Sequence, residues 1–184
     1  MRKINAFTFI TLNGYFSGPQ GDLSWHSHAG EEAEYGKEGL SADNILLFGR
    51  VTYDMMSGYW PTPMALEQNP DMAKGMNASE KIVFSNTLKK ATWQNTSIVK
   101  GDIVKEITMM KSTPGKDMTI LGSGSIVALF SDHGLIDSYQ IMIDPVALTG
   151  GKTIFNGITK DLHLRHVETR TFKSGVVLLT YRPA

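Results

Sequence analysis

Glycine, hydroxyl and arginine side chains gather at three places where an apolar run gives way to a polar one. Gly122-Ser123-Gly124-Ser125 follows the apolar run Met118–Leu121 and precedes Ile126, Val127, Leu129 and Phe130, which are spaced as on a helix. A strand, a glycine turn and a helix start together aim unpaired backbone N–H groups at an anion. Glycine serves there because the missing Cβ lets a phosphate approach the chain. The same change occurs where Phe48 passes into Gly49-Arg50-Val51-Thr52 and where Phe84 passes into Ser85-Asn86. Arg50 offers a charged planar fork suited to phosphate oxygens. Thr52 is placed to cap a helix and to donate to the same anion, and Ser85 and Asn86 add neutral donors. In a parallel sheet all of these turns share the carboxyl edge, where α/β folds bind ligands. A dinucleotide with several phosphates fits such an edge, and Arg50 leaves room for the 2′-phosphate that separates NADPH from NADH. The turn at 122–125 has only two glycines and is not the GxGxxG fingerprint.

Other reactive side chains are fewer. Glu31, Glu32 and Glu34 open a polar, helix-capable stretch soon after Trp25. As residue types they read as solvated helix carboxylates. Asp22, His26, His28 and Glu31 are ligand types, but their spacing matches no known site, and no metal is expected. His163 and His166 fall on opposite faces of a strand, and His133, beside Gly134, reads as a helix-end residue. Ser123 and Ser125 have no neighbouring base, which removes a serine-hydrolase reading. The chain has no cysteine, so a thiolate nucleophile, a disulfide framework and a Cys-ligated metal are excluded, and a cytoplasmic setting fits. Eighteen basic residues balance eighteen acidic ones, which gives nucleic-acid or anionic-membrane binding no global support.

These residues need elements to hold them. The 184 residues are most simply one domain. Ile4–Leu12 reads as a buried strand rather than a signal peptide, because Asn5, Thr8 and Thr11 interrupt it and no cleavage site follows. Further strands are expected at 44–48, 81–84, 97–99, 118–121, 136–143 and 153–155. Helices are expected at 31–40, at 53–56, at 103–110 and after Gly124. The span 57–77, with Pro61, Pro63 and Pro70, reads as a mobile surface excursion with one helical turn. His163–Phe172 and Val176–Tyr181, joined across Lys173-Ser174-Gly175, read as a terminal antiparallel hairpin. The sum is an α/β domain: a mostly parallel central sheet flanked by helices, with an antiparallel end.

Taken in order, ILLFGRVTYD at 45–54, KIVFSN at 81–86 and MTILGSGSIVALF at 118–130 resemble the successive landmarks of the dihydrofolate reductase-like fold. The closer resemblance is to the branch containing the C-terminal reductase domain of the riboflavin-biosynthesis deaminase/reductase. Stand-alone bacterial members carry an SLDGYIAGPDGDLSW-like opening, against TLNGYFSGPQGDLSW at 11–25, and IDSYQIMIDPVALTGGKTIF at 136–155 is similar too. The resemblance spans nearly the whole chain. It implies NADPH across the strand ends, with Gly49, Arg50 and Thr52 at the phosphates, Ser85 and Asn86 near the 2′-phosphate, and Gly122, Ser123, Gly124 and Ser125 at the pyrophosphate. It implies Asn13, Phe16 and Trp25 beside the nicotinamide and a small-molecule substrate, with Glu31 or Glu32 as the acid. Reduction of a phosphorylated ribosylaminopyrimidine is the activity implied. Reduction of a dihydropterin and a non-catalytic nucleotide-binding module are the alternatives, and a homodimer is expected. Asn13 departs from the branch, where Asp is usual, and a neutral amide offers no acid or base there.

Overall fold

The computed structural model describes residues 1–26, 30–41 and 43–184. The strands are β1 (Ile4–Thr11), β2 (Tyr15–Ser17), β3 (Ile45–Gly49), β4 (Lys81–Phe84), β5 (Thr96–Val99), β6 (Met118–Ile120), β7 (Ser138–Asp144), β8 (Lys152–Thr153), β9 (Leu164–Thr171) and β10 (Val177–Pro183). The helices are α1 (Glu31–Ser41), α2 (Arg50–Tyr59), α3 (Pro63–Gln68), α4 (Pro70–Ala78), α5 (Ile103–Ser112) and α6 (Gly124–Asp132). Eight strands form one sheet in the order β5-β4-β3-β6-β1-β7-β10-β9. The pairings from β5 through to β7 are parallel, and β10 and β9 add the antiparallel end.

Every residue of β3 and β4 is buried, as expected for parallel strands covered on both faces. On one face Ile4, Ala6, Leu47, Ile120 and Tyr139 pack against Ile107 of α5 and Val127 and Phe130 of α6. On the other, Leu46, Phe48 and Val83 meet Tyr53 of α2, Ala65 of α3, Ala73 and Met76 of α4, and Trp93. Phe7 and Phe9 of β1 pack with Tyr35 of α1 and with Met142, Phe172 and Leu178.

The structure corrects one expectation about the elements and adds one element. The span 57–77 is not a loose excursion: α3 and α4 each start on a proline, which suits a first helical position that needs no N–H. The Thr62 side chain accepts from the Ala65 N–H to cap α3. Alternating prolines and methionines hid the two short apolar faces. The added element is β2, which pairs with β8 in a small sheet of its own beside the main one.

Candidate active site

The ends of β4, β3 and β6 lie side by side and parallel, so the three sequence turns do share one edge. Two of them interlock. The Gly49 N–H donates to the Gly122 carbonyl at 3.0 Å. A Cβ on Gly49 would stand 2.2 Å from Ser123 Oγ, and one on Gly122 would stand 3.0 Å from Thr52 Oγ1. Gly122 also has φ +122°, a conformation L side chains rarely adopt. The peptide between Gly122 and Ser123 is cis. Helix α2 starts after Gly49, which puts Thr52 inside its first turn and not at the expected cap, and α6 starts after Ser123; neither cap residue bonds a backbone N–H of its helix through a side chain. Ser123 Oγ is bonded instead to Ser125 Oγ at 2.8 Å. Most first-turn N–H groups have no intrahelical partner; in α6 the Ile126 N–H donates to the Ser123 carbonyl at 3.1 Å, and those of Gly124 and Ser125 come before it at this edge.

Arg50 stands between two of the turns. Its Nε donates to Asp54 Oδ2 at 2.9 Å and its Nη1 to Thr87 Oγ1 at 2.7 Å. Nη2 has no partner among the described residues, and the side chain is about half exposed. Ser85 Oγ accepts the N–H groups of Thr87 and Leu88, so it shapes the turn after β4. Asn86 Oδ1 accepts the Gly101 N–H at 2.8 Å, which leaves its NH2 for a ligand. Thr87 lies one residue beyond the sequence motif, and only its place after a strand end hinted at it.

The segment after β1 supplies the residues expected near the nicotinamide. Phe16 is brought to the glycine turn: its Cε1 lies 3.0 Å from where a Cβ on Gly124 would stand. Asn13 is held by the loop after β7. Its Oδ1 accepts from Thr11 Oγ1 at 2.8 Å and from the Leu148 N–H at 3.2 Å, and its Nδ2 donates to the Leu148 carbonyl at 2.7 Å. A carboxylate could not make that last donation, which gives the Asp-to-Asn departure a physical reason. Trp25 is half-buried, and its Nε1 is buried without a hydrogen-bond partner among the described residues. His26, weighed from the sequence only as a metal ligand, is buried with Asp144 at the end of β7. No periodicity or motif in the sequence links these two positions.

The acidic residues of α1 face the turn between β9 and β10. Glu31 accepts the Lys173 N–H and pairs with Lys173 Nζ at 3.2 Å. Those hydrogen bonds hold its carboxyl below the usual range, so it stays ionised near neutrality and is a poor proton donor. Glu32 is buried and accepts the Ser174 hydroxyl, which corrects its reading as a solvated carboxylate. Glu34 is exposed and pairs with Lys37. Of the weighed metal ligands, His28 lies outside the described residues, and among those described no three His, Cys, Asp or Glu side chains converge. Nor is any helix among them long and apolar enough to cross a membrane.

Residues 2–178 match the family model described as the RibD C-terminal domain. The chain belongs to the RibD C-terminal domain family. Among curated relatives, the uncharacterised protein YyaP of Bacillus subtilis (strain 168) is 30% identical over 181 residues, covering 98% of this chain and 94% of YyaP. Among solved structures, a protein provisionally assigned to riboflavin biosynthesis from Shewanella sp. PV-4 aligns with TM-score 0.75 and 21% identity over 99% of both chains. Dihydrofolate reductase from Enterococcus faecalis, solved with NADP(H), aligns with TM-score 0.69 and 17% identity over 98% of this chain and 96% of its own. The fold is therefore dihydrofolate reductase-like. Membership of the RibD C-terminal domain family points to an oxidoreductase.

Proposed function

We propose that this RibD C-terminal-family protein is an NADPH-dependent, cytoplasmic reductase of a small heterocyclic substrate, most like 5-amino-6-(5-phosphoribosylamino)uracil. The observation that carries this reading is the interlocked edge. Two helix starts without side-chain caps to a backbone N–H, and the Nη2 of Arg50 with no partner among the described residues, lie at an edge where glycines at 49 and 122 let the turns after β3 and β6 pack against each other. That donor set fits a dinucleotide: backbone N–H groups for the pyrophosphate, and Arg50 with Asn86 for the 2′-phosphate. When bound, NADPH supplies a hydride from its nicotinamide. Phe16, which lies against Gly124, and Trp25 would hold that ring and keep water from it. Glu31, held as a carboxylate by Lys173, orients rather than protonates.

The reading is tested by following loss of NADPH absorbance with ribosylaminopyrimidine and dihydropterin substrates. Turnover of the first with little of the second is expected. One observation favours a second reading, a nucleotide-binding module without turnover: both acid candidates, Glu31 and Glu32, are engaged by the β9–β10 turn. Under that reading NADPH binds and is left unchanged. The chain is further proposed to act as a homodimer through β9, an edge strand exposed along almost its whole length. Sedimentation of the protein at twice its chain mass is the expected result.

A further inference from the structure

The geometry points to His26 as a positioning residue: its buried pair with Asp144 anchors the segment after β1 across the end of that strand and thereby seats Trp25. The inference rests on the nucleotide reading above. In the sheet β1 lies between β6 and β7, and the segment following it is fastened to both sides. On the β6 side Phe16 lies against Gly124, the first residue of α6. On the β7 side His26 Nδ1 stands 3.0 and 3.1 Å from the carboxylate oxygens of Asp144. The two side chains are only 3% and 6% exposed, so water does not compete for the bond.

The imidazole is held by a second, unlike contact. Its ring lies over Phe9 of β1 with centroids 3.7 Å apart and planes 31° from parallel. A charge-assisted bond to β7 and a stacked contact to β1 together fix both the place and the tilt of the ring. Asp144 is itself in register with Thr11, and the Thr11 hydroxyl accepts the Tyr15 N–H at 3.0 Å. Both ends of the segment are thus tied to one level of the sheet. Trp25, the chain neighbour of His26, has its ring 5.9 Å away, edge-on. Its buried Nε1 makes no hydrogen bond among the described residues, so the indole is placed by packing and by its neighbour, not by a bond of its own.

The test compares H26F, which keeps a ring for Phe9 and leaves Asp144 unpaired, with H26N, whose Nδ2 can take the place of Nδ1. Solvent exchange of the indole N–H groups is read by NMR, with the Trp25 signal assigned from W25F, and NADPH dissociation constants are measured alongside. In H26F the Trp25 indole should exchange faster while Trp60 and Trp93 stay as in the wild type, and NADPH should bind about ten- to a hundredfold more weakly. H26N should restore both. Unchanged Trp25 exchange in H26F, or all the indoles loosening together in both variants, overturns the anchor. Loosened Trp25 with unchanged NADPH affinity overturns the positioning role alone. A wild type that binds no NADPH overturns the nucleotide reading and the positioning role with it, while the exchange data still decide the anchor.

Discussion

At the level of single residues, Arg50 is the one proposed to select NADPH over NADH. Its Nε and Nη1 are occupied by Asp54 and Thr87, which fixes the guanidinium plane and leaves Nη2 without a partner among the described residues. In Arg50→Ala the phosphate loses a charge-assisted contact and faces an unpaired Asp54. NADPH affinity should fall by about 1–3 kcal/mol, with NADH much less affected, as measured by titration calorimetry. Equal losses for both would assign Arg50 to the shared pyrophosphate. Gly122→Val makes the complementary case: its Cβ meets Thr52 at 3.0 Å in a backbone conformation with φ +122°, so both cofactors should be lost together. Retained affinity there would remove the glycine turn from the site. The shared edge of the turns after β3, β4 and β6 was legible in sequence, because apolar runs closing on Gly49, Ser85 and Gly122 mark the ends of parallel strands. The His26–Asp144 pair was not, since 117 intervening residues separate positions that only the β1–β7 pairing brings together. Asn13 was read from the resemblance as a neighbour of the nicotinamide, and its donation to the Leu148 carbonyl is a loop contact that no sequence signal gives.

At the scale of elements, the strands were legible because β3, β4 and β6 are short apolar runs closed by glycine or serine. The short helices α3 and α4 were not, since six and nine residues give too few turns for a periodicity to stand out. Their packing depends on a buried cation. Lys81, at the start of β4, is 1% exposed and donates to the carbonyls of Met76, Asn77 and Ser79, at the end of α4, with its ammonium 4.5 Å from the Trp93 ring centre. Burial pushes its pKa down from 10.5 to about 8. Between those values the unfolded chain binds more protons than the folded one, so stability rises with pH. The contribution is complete above pH 10.5 and is lost as pH falls to about 8. At about 1.4 kcal/mol per pH unit its ceiling is about 3 kcal/mol, and the three carbonyls, which favour the ammonium, lower it. Urea unfolding of wild type and Lys81→Met at both ends of that window should show the wild type gaining on the variant as pH rises. A constant difference would mean that Lys81 does not titrate there.

For the whole molecule, a parallel sheet gathers the ends of β4, β3, β6, β1 and β7 on one edge, and each brings one part of the proposed site. The turn after β4 brings Asn86, that after β3 Arg50, and that after β6 the glycines. The segment after β1 brings Phe16 and Trp25, and β7 brings the carboxylate that anchors it. With no net charge, the chain offers no long-range field to draw in an anion, so recognition must come from this local convergence of donors. A ligand that binds only the folded protein raises its stability by about 2.7 kcal/mol at a hundredfold excess over its dissociation constant. The most direct measurement is therefore thermal unfolding of the purified protein alone, with NADPH, and with NADH. A clear rise in melting temperature with NADPH and a much smaller one with NADH is the predicted result. No shift with either, in protein that unfolds cooperatively, would contradict the assignment of this edge to the cofactor.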